Sequence, residues 1–172
     1  MNKIKRLFRY DLPLHFVLFI TNWLPDNVIF IRLRGWLATP FFMTCGKRLG
    51  IGRNVTFYNS KNIIIGDDVY IAKGCWFNAG SIITICSEVM FGPYCVVVTS
   101  KHTFYSNSYR FGKSINNPIN IGFGSWIAAH VTIVGGVNIM EGVLVAANSV
   151  VNKSIESHTV VAGSPAKFIR KS

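Results

Sequence analysis

Aliphatic and aromatic residues recur at every sixth position along the later two-thirds of the chain. Ile65, Ile71 and Phe77 open the series, and after two extra residues it continues through Ile85, Phe91 and Val97. It resumes at Ile121 and runs without a slip through Ile127, Ile133, Ile139, Val145 and Val151. The next residue is often Gly or Ala (Gly66, Ala72, Gly92, Gly122), and four residues after each aliphatic comes a small or β-branched one, from Val69 and Cys75 to Val143 and Ser149. A period of six suits neither an amphipathic helix nor an alternating strand. It suits a solenoid in which each hexad is one short strand and a corner, three hexads making a triangular coil of about 18 residues. Inward side chains then stack on their counterparts one coil away at about 4.8 Å, the interstrand spacing. Coils are predicted over 65–82, 85–102, 121–138 and 139–156, with partial ones at 49–63 and 160–161.

The beat fails after His102. The in-phase positions Thr103, Tyr109 and Ile115 form no aliphatic run, and Asn107, Ser108, Gly112 and Asn116–Asn117–Pro118 are turn formers. An extruded loop is predicted at about 103–118, reaching over a neighbouring subunit, because a loop of this length tends to be functional. His102 then stands last in its coil, at the root of the loop. A general base must titrate near neutrality, be held rigidly and face a cleft. A histidine at that root can meet these needs, although the residues alone also allow a solvent-facing loop histidine.

Ahead of the repeat, residues 1–46 read as an N-terminal helical segment. A basic start is followed by LPLHFVLFITNWLP, which contains His15 and Asn22 and leads to no small-residue cleavage site. Its apolar run is shorter than the roughly 20 residues that span a bilayer. A second apolar stretch over 27–42 is broken by Arg32, Arg34, Gly35 and Pro40. Two short amphipathic helices are predicted, packed on the body or lying on a membrane surface with their basic residues at the headgroups. Packing would keep Phe16, Phe19, Trp23 and Trp36 from solvent.

Charge narrows the partners. Eighteen Lys and Arg against seven Asp and Glu give a formal +11, which favours acidic lipid or a polyphosphorylated cofactor. No nucleic-acid-binding motif accompanies it, so no nucleic-acid partner is expected. Cys45, Cys75, Cys86 and Cys95 lack C-x-x-C spacing and read as apolar fillers of a reducing, cytoplasmic setting.

The stretches IGDDVYIAKGCWFNAGS, VMFGPYCVVVTSKHTF, IGFGSWIAAHVTIVGGVNI and VLVAANSVVNKSIESHTVVAGSPAKFIRK resemble the hexapeptide-repeat acyltransferases. RGWLATPFF is further similar to the branch that O-acetylates sugars of bacterial surface polysaccharides. The resemblance implies a mainly β protein: a left-handed parallel β-helix over 47–163, short N-terminal helices, the protruding loop and a basic C-terminal tail at 164–172. The left hand comes from the resemblance alone, since parallel crossovers are ordinarily right-handed. It also implies a homotrimer that transfers acetyl from acetyl-CoA to a saccharide acceptor, in the cytoplasm or at the inner membrane face.

The family's roles carry over residue by residue. His102 is the implied base. Asn78, in WFNAG, matches a sugar-binding position, although an Asn at a left-handed corner explains it equally well. Trp126 matches an aromatic near thioester and acceptor, or else packs at a trimer contact. Ala128, Ala146 and Ala147 are small where the pantetheine arm would pass, and Lys153, Lys167 and Arg170 are candidate phosphate partners. Departures occur at Cys86 and Ala128, where Gly is common, and at IMEG over 139–142.

Three rivals remain. A zinc enzyme on this fold needs three converging histidines, and only His102 and His130 lie in the coils, so no metal is expected. A scaffold without chemistry would have no need to keep His102. A small-molecule acceptor is the alternative within acetyltransferases. His130 reads as structural, His15 and His158 lack a nameable partner, and Glu88 could orient His102 without any spacing argument for it.

Overall fold

The computed structural model describes residues 3–172, so Met1 and Asn2 of the expected N-terminal segment lie outside it. Five complete coils and part of a sixth stack into a three-faced parallel β-helix. The first coil is β1 (Thr44–Cys45), β2 (Gly50–Ile51) and β3 (Thr56–Tyr58). The second is β4 (Ile63–Ile65), β5 (Tyr70–Ile71) and β6 (Trp76–Asn78); the third is β7 (Ile83–Ile85), β8 (Met90–Phe91) and β9 (Val96–Val98). An arm of β10 (Ser100–His102) and β11 (Ser114–Asn116) interrupts the winding. The fourth coil is β12 (Ile119–Ile121), β13 (Trp126–Ile127) and β14 (Thr132–Val134). The fifth is β15 (Asn138–Ile139), β16 (Leu144–Val145) and β17 (Val150–Val151), followed by β18 (Thr159–Ala162) and β19 (Lys167–Lys171).

Face one stacks β1-β4-β7-β12-β15, face two β2-β5-β8-β13-β16-β18-β19, and face three β3-β6-β9-β14-β17. The register follows the hexads. Ile127 pairs with Val145, 18 residues on, whereas Ile63 pairs with Ile83 and Ile71 with Phe91, 20 residues on. Each early coil therefore holds two extra residues at the corner between faces three and one. The hexad series read from Ile65 includes the pair after Phe77 and leaves out the earlier one, absorbed in a 3-10 turn at Ser60–Asn62. Across the arm Ile85 pairs with Ile121, so the insertion leaves the register intact.

The corners explain the rest of the pattern. At the corners that follow faces one and two of the complete coils, the third residue after the inward aliphatic has a left-handed backbone, whether Asp68, Glu88, Tyr94, His130 and Asn148 or Gly74, Gly124 and Gly142. The fourth turns inward at the bend, which is why it is small: Val69, Cys75, Val89, Cys95 and Val131 are fully buried. In the N-terminal half the core is aromatic, Phe57 stacking on Phe77 at 5.0 Å and Phe77 meeting Phe91 edge-on at 5.3 Å. Burying each such side chain stabilises by about 1.5–3 kcal/mol.

The first coil would be open at its end without the helices. α1 (Lys3–Arg6) leads through a π-turn at Leu7–Asp11 into α2 (Leu12–Thr21), and α3 (Val28–Ala38) follows. Leu14 and Leu18 of α2 join the core. Arg34 is wholly buried and donates to the carbonyls of Thr21, Leu24 and Ile51 and to Asp26 Oδ1 at 3.1 Å. At Gly35 a Cβ would lie 1.9 Å from the Leu49 carbonyl oxygen, so only glycine lets α3 rest on this coil. The RGW lead-in is thus an end cap, with Trp36 alone of the three turned to solvent.

Several boundaries move. The β-helix begins at Thr44 rather than 47, and the first coil is complete rather than partial. Residues 164–172, expected as a tail, contain β19, which pairs antiparallel with β18. The loop expected at 103–118 leaves earlier and is not structureless, because β10 and β11 pair antiparallel.

Candidate active site

The arm is fastened by Thr99, which is buried. Its amide and hydroxyl both donate to the Asn78 carbonyl at 3.1 Å, and the hydroxyl accepts from the Ser81 amide at 3.0 Å. Its carbonyl accepts from the Asn117 amide at 3.0 Å, closing the loop where the chain returns. One residue outward, Ser100 Oγ bonds Asn116 Oδ1 at 2.6 Å, directly above Gly80. These polar pins at 99–100 and 116–117 escaped the sequence reading. The signal was there, in short hydroxyl and amide residues flanking the break in the period.

His102 stands opposite Ser114 on this arm, exposed, and not at the last position of the coil. Its ring has no hydrogen-bond partner among the described residues. Glu88 lies at a corner between faces one and two, another edge of the prism, and does not orient His102 within one copy. Asn78 lies nearer the arm: it ends β6 as extended strand, not at a left-handed corner, and its carbonyl holds Thr99. A cleft of about 400 Å³ runs beside the returning chain, lined by Thr84, Asn117, Pro118, Asn120 and Asn138.

The other expected contacts lie on different edges. Trp126 opens β13 on face two, exposed, in a column between Met90 and Leu144. Ala128, Ala146 and Ala147 turn the corner from face two to face three, where Ala72 and Gly92 precede them in the stack. The Ala128 and Ala146 amides are used in the coil, donating to the Val145 and Val161 carbonyls at 2.9 Å. Lys153 lines a cleft of about 230 Å³ with Thr159, Ala166 and Phe168 at the C-terminal end. Lys167 and Arg170 are exposed on β19, opposite Ala162 and Val160. The chain therefore brings Asn78 to the arm root but leaves Trp126 and the alanines on other edges.

The remaining histidines have structural settings. His130 occupies a left-handed corner and stacks on Tyr94 at 5.2 Å, and His158 lies 3.5 Å from Glu141. Two buried thiols, Cys75 and Cys95, occupy equivalent positions in adjacent coils. The bond to Cys95, with burial, pushes the Cys75 thiol up, and the same bond pulls Cys95 down. Among the described residues no cluster of three or more His, Cys, Asp or Glu could hold a metal.

Comparison with known proteins gives the same architecture. A hexapeptide-repeat acetyltransferase of Vibrio cholerae, solved with acetyl coenzyme A, superposes with a TM-score of 0.82 at 28% identity, over 94% of this chain and 86% of that one. A galactoside acetyltransferase solved with coenzyme A superposes equally well, at 28% identity over 94% of this chain and 80% of that one. In sequence, the galactoside O-acetyltransferase of Escherichia coli is 31% identical over 136 residues, 79% of this chain and 60% of that one. A Staphylococcus aureus protein provisionally named an acetyltransferase is 39% identical over 112 residues, 64% of this chain and 55% of that one. The chain thus spans less than two-thirds of these curated relatives. No family model matches it. A coil of opposite hand would not superpose, so the winding has the hand of the solved structures.

Proposed function

We propose that this chain, whose fold and repeats are those of the hexapeptide-repeat acetyltransferases, transfers an acetyl group from acetyl-CoA to a sugar hydroxyl, with His102 as general base. The observation that carries this is an exposed histidine on an arm doubly pinned to a rigid coil. The imidazole takes the hydroxyl proton as the oxygen attacks the thioester carbonyl. When the tetrahedral intermediate collapses the carbon–sulfur bond breaks, and the imidazolium returns the proton to the departing thiolate. The thioester is already activated, so direct transfer needs no acyl-enzyme.

The acetyl donor belongs along the alanine corner, where pantetheine can lie against backbone. Lys153, Lys167 and Arg170 at the C-terminal end face its phosphates. Asn78 beside the arm root offers donor and acceptor to the sugar. His102 and the alanine corner lie on different edges of the prism, so a complete site needs a second copy. A homotrimer in which each arm reaches over its neighbour meets that need, in keeping with closed symmetry. The donor places the reaction in the cytoplasm, and the acceptor is a surface polysaccharide or its precursor. RGW gives little help with the acceptor, since Arg34 and Gly35 serve the end cap.

Thiol release from acetyl-CoA, with nucleotide- and lipid-linked sugars as acceptors, tests this directly. Wild type should release thiol only with an acceptor, and His102→Ala should be slower by about 10²–10⁴. Equal rates in the two would remove His102 as the base.

A further inference from the structure

The helical cap has an outer face that nothing in the fold covers, and its charges are sorted. On the inner side, Asp11 accepts from the Ser60 amide at 3.1 Å, and Asp26 holds Arg34 and the Arg53 amide. These are the only acidic residues before position 67, and both point into the protein. Lys5, Arg9 and Arg32 are exposed on the helices, Arg32 at the edge where it shares a groove with Trp36 and with Asp67 of the coils. The same helices and the turn between them expose large apolar side chains: Trp23 is 85% exposed, Ile29 73% and Trp36 71%. Residues 1–53 hold nine Lys and Arg against two Asp, +7 of the chain's +11.

We propose that this face docks on an anionic lipid bilayer. Indole and aliphatic side chains enter the headgroup boundary, and the flanking cations meet lipid phosphates, as in interfacial amphipathic helices. Among the described residues no helix is long and apolar enough to cross a membrane, so the helices lie along the surface. A second copy would be the other occupant of such a face. Two observations favour lipid. The cap closes the end of the first coil, whereas the arm and the alanine corner lie on the sides of the prism. A cationic face also meets its own kind poorly, whereas it complements an anionic surface.

The inference deepens the proposed reaction without depending on it to be tested. The arm leaves after the third coil, about 10 Å along the axis from the capped end at the interstrand spacing. A docked enzyme therefore holds His102 close above the headgroups, within reach of the first sugars of a lipid-linked glycan. The acceptor class is then a membrane-anchored saccharide rather than a free one.

Sedimentation of the full-length protein with vesicles separates the cases. One set is pure phosphatidylcholine, the other contains one-third phosphatidylglycerol. Wild type should pellet with the anionic vesicles and be released by salt. Trp23→Ser with Trp36→Ser should weaken binding at least tenfold, and Arg9→Gln and Arg32→Gln about fivefold each. The variants should keep the wild-type melting temperature and thiol release on a water-soluble sugar. Wild type left in the supernatant with both vesicles overturns the proposal, as does equal pelleting of the tryptophan variant. A solution mass that falls in the tryptophan variant also overturns it, assigning the face to a second copy. Vesicle binding without acetyl transfer would leave the docking face standing and refute the reaction.

Discussion

The coils and the arm are made of similar residues and behave as opposites. In the coils the inward positions are closed: Ile71, Phe77, Ile85, Phe91, Val97 and Ile121 are fully buried, and the short strands pair with their counterparts one coil away. In the arm Phe104, Tyr105, Tyr109 and Phe111 are 60–79% exposed. The difference lies in periodicity. Where the hexad holds, a side chain inherits a neighbour at the interstrand spacing; where it breaks, backbone pairing between β10 and β11 and the pins at Thr99 and Ser100 do the holding. The break suits the proposed chemistry because the scaffold supplies rigidity there without claiming the side chain.

Substitutions can sharpen the contrast. His102→Ala should have the largest effect on rate, the loss of about 10²–10⁴ given above, with no change in the melting curve. Phe77→Ala should cost about 3–5 kcal/mol by opening the aromatic column, read as a lower denaturation midpoint. The matching change on the arm, Phe104→Ala, should alter stability by less than about 0.5 kcal/mol. If the two proved equally costly, the division between coil and arm would be wrong. Thr99→Val keeps the shape but leaves the Ser81 amide unpaired, at about 1–3 kcal/mol. It should also lower the rate several-fold, since the root of His102 shifts. Ser100→Ala should do least, about 0.5 kcal/mol, because its bond to Asn116 is exposed.

The same contrast explains what the sequence revealed. Ile121 to Val151 announce their coils because an inward position every six residues is a local rule. The exit of the arm was misplaced by three residues, because Ser100–Lys101–His102 extend a strand that pairs outside the coil, with Ser114–Asn116. The turn at Ser60–Asn62 was missed because the series was begun at Ile65, although Ile51, Phe57 and Ile65 take the same six-then-eight step as Ile71, Phe77 and Ile85. Asn78 looked like a corner residue because Asn favours left-handed backbone, yet its strand was already set by Phe77. The cap was hardest to read. Whether Trp23 and Trp36 pack or protrude depends on Arg34 and Asp26, whose partners lie across the fold. Of the candidate site, the break in rhythm that singles out His102 was legible, and its role is what the proposed reaction puts to the test. The separation of His102 from Trp126 and Ala146 was not legible, because edges of the prism exist only once the chain is wound.

That separation is the centre of the account, since a site divided between edges must be completed by another copy. Co-expression of His102→Ala with Ala146→Trp, each inactive alone, tests it most directly. In mixed oligomers an intact arm from one chain meets an intact alanine corner from the other, and about a quarter of the sites of a randomly assembled trimer should be restored. Recovery of acceptor-dependent thiol release in the mixture, absent from either variant alone, is the predicted result. Verified mixed oligomers with no activity would contradict it and place the whole site within a single chain.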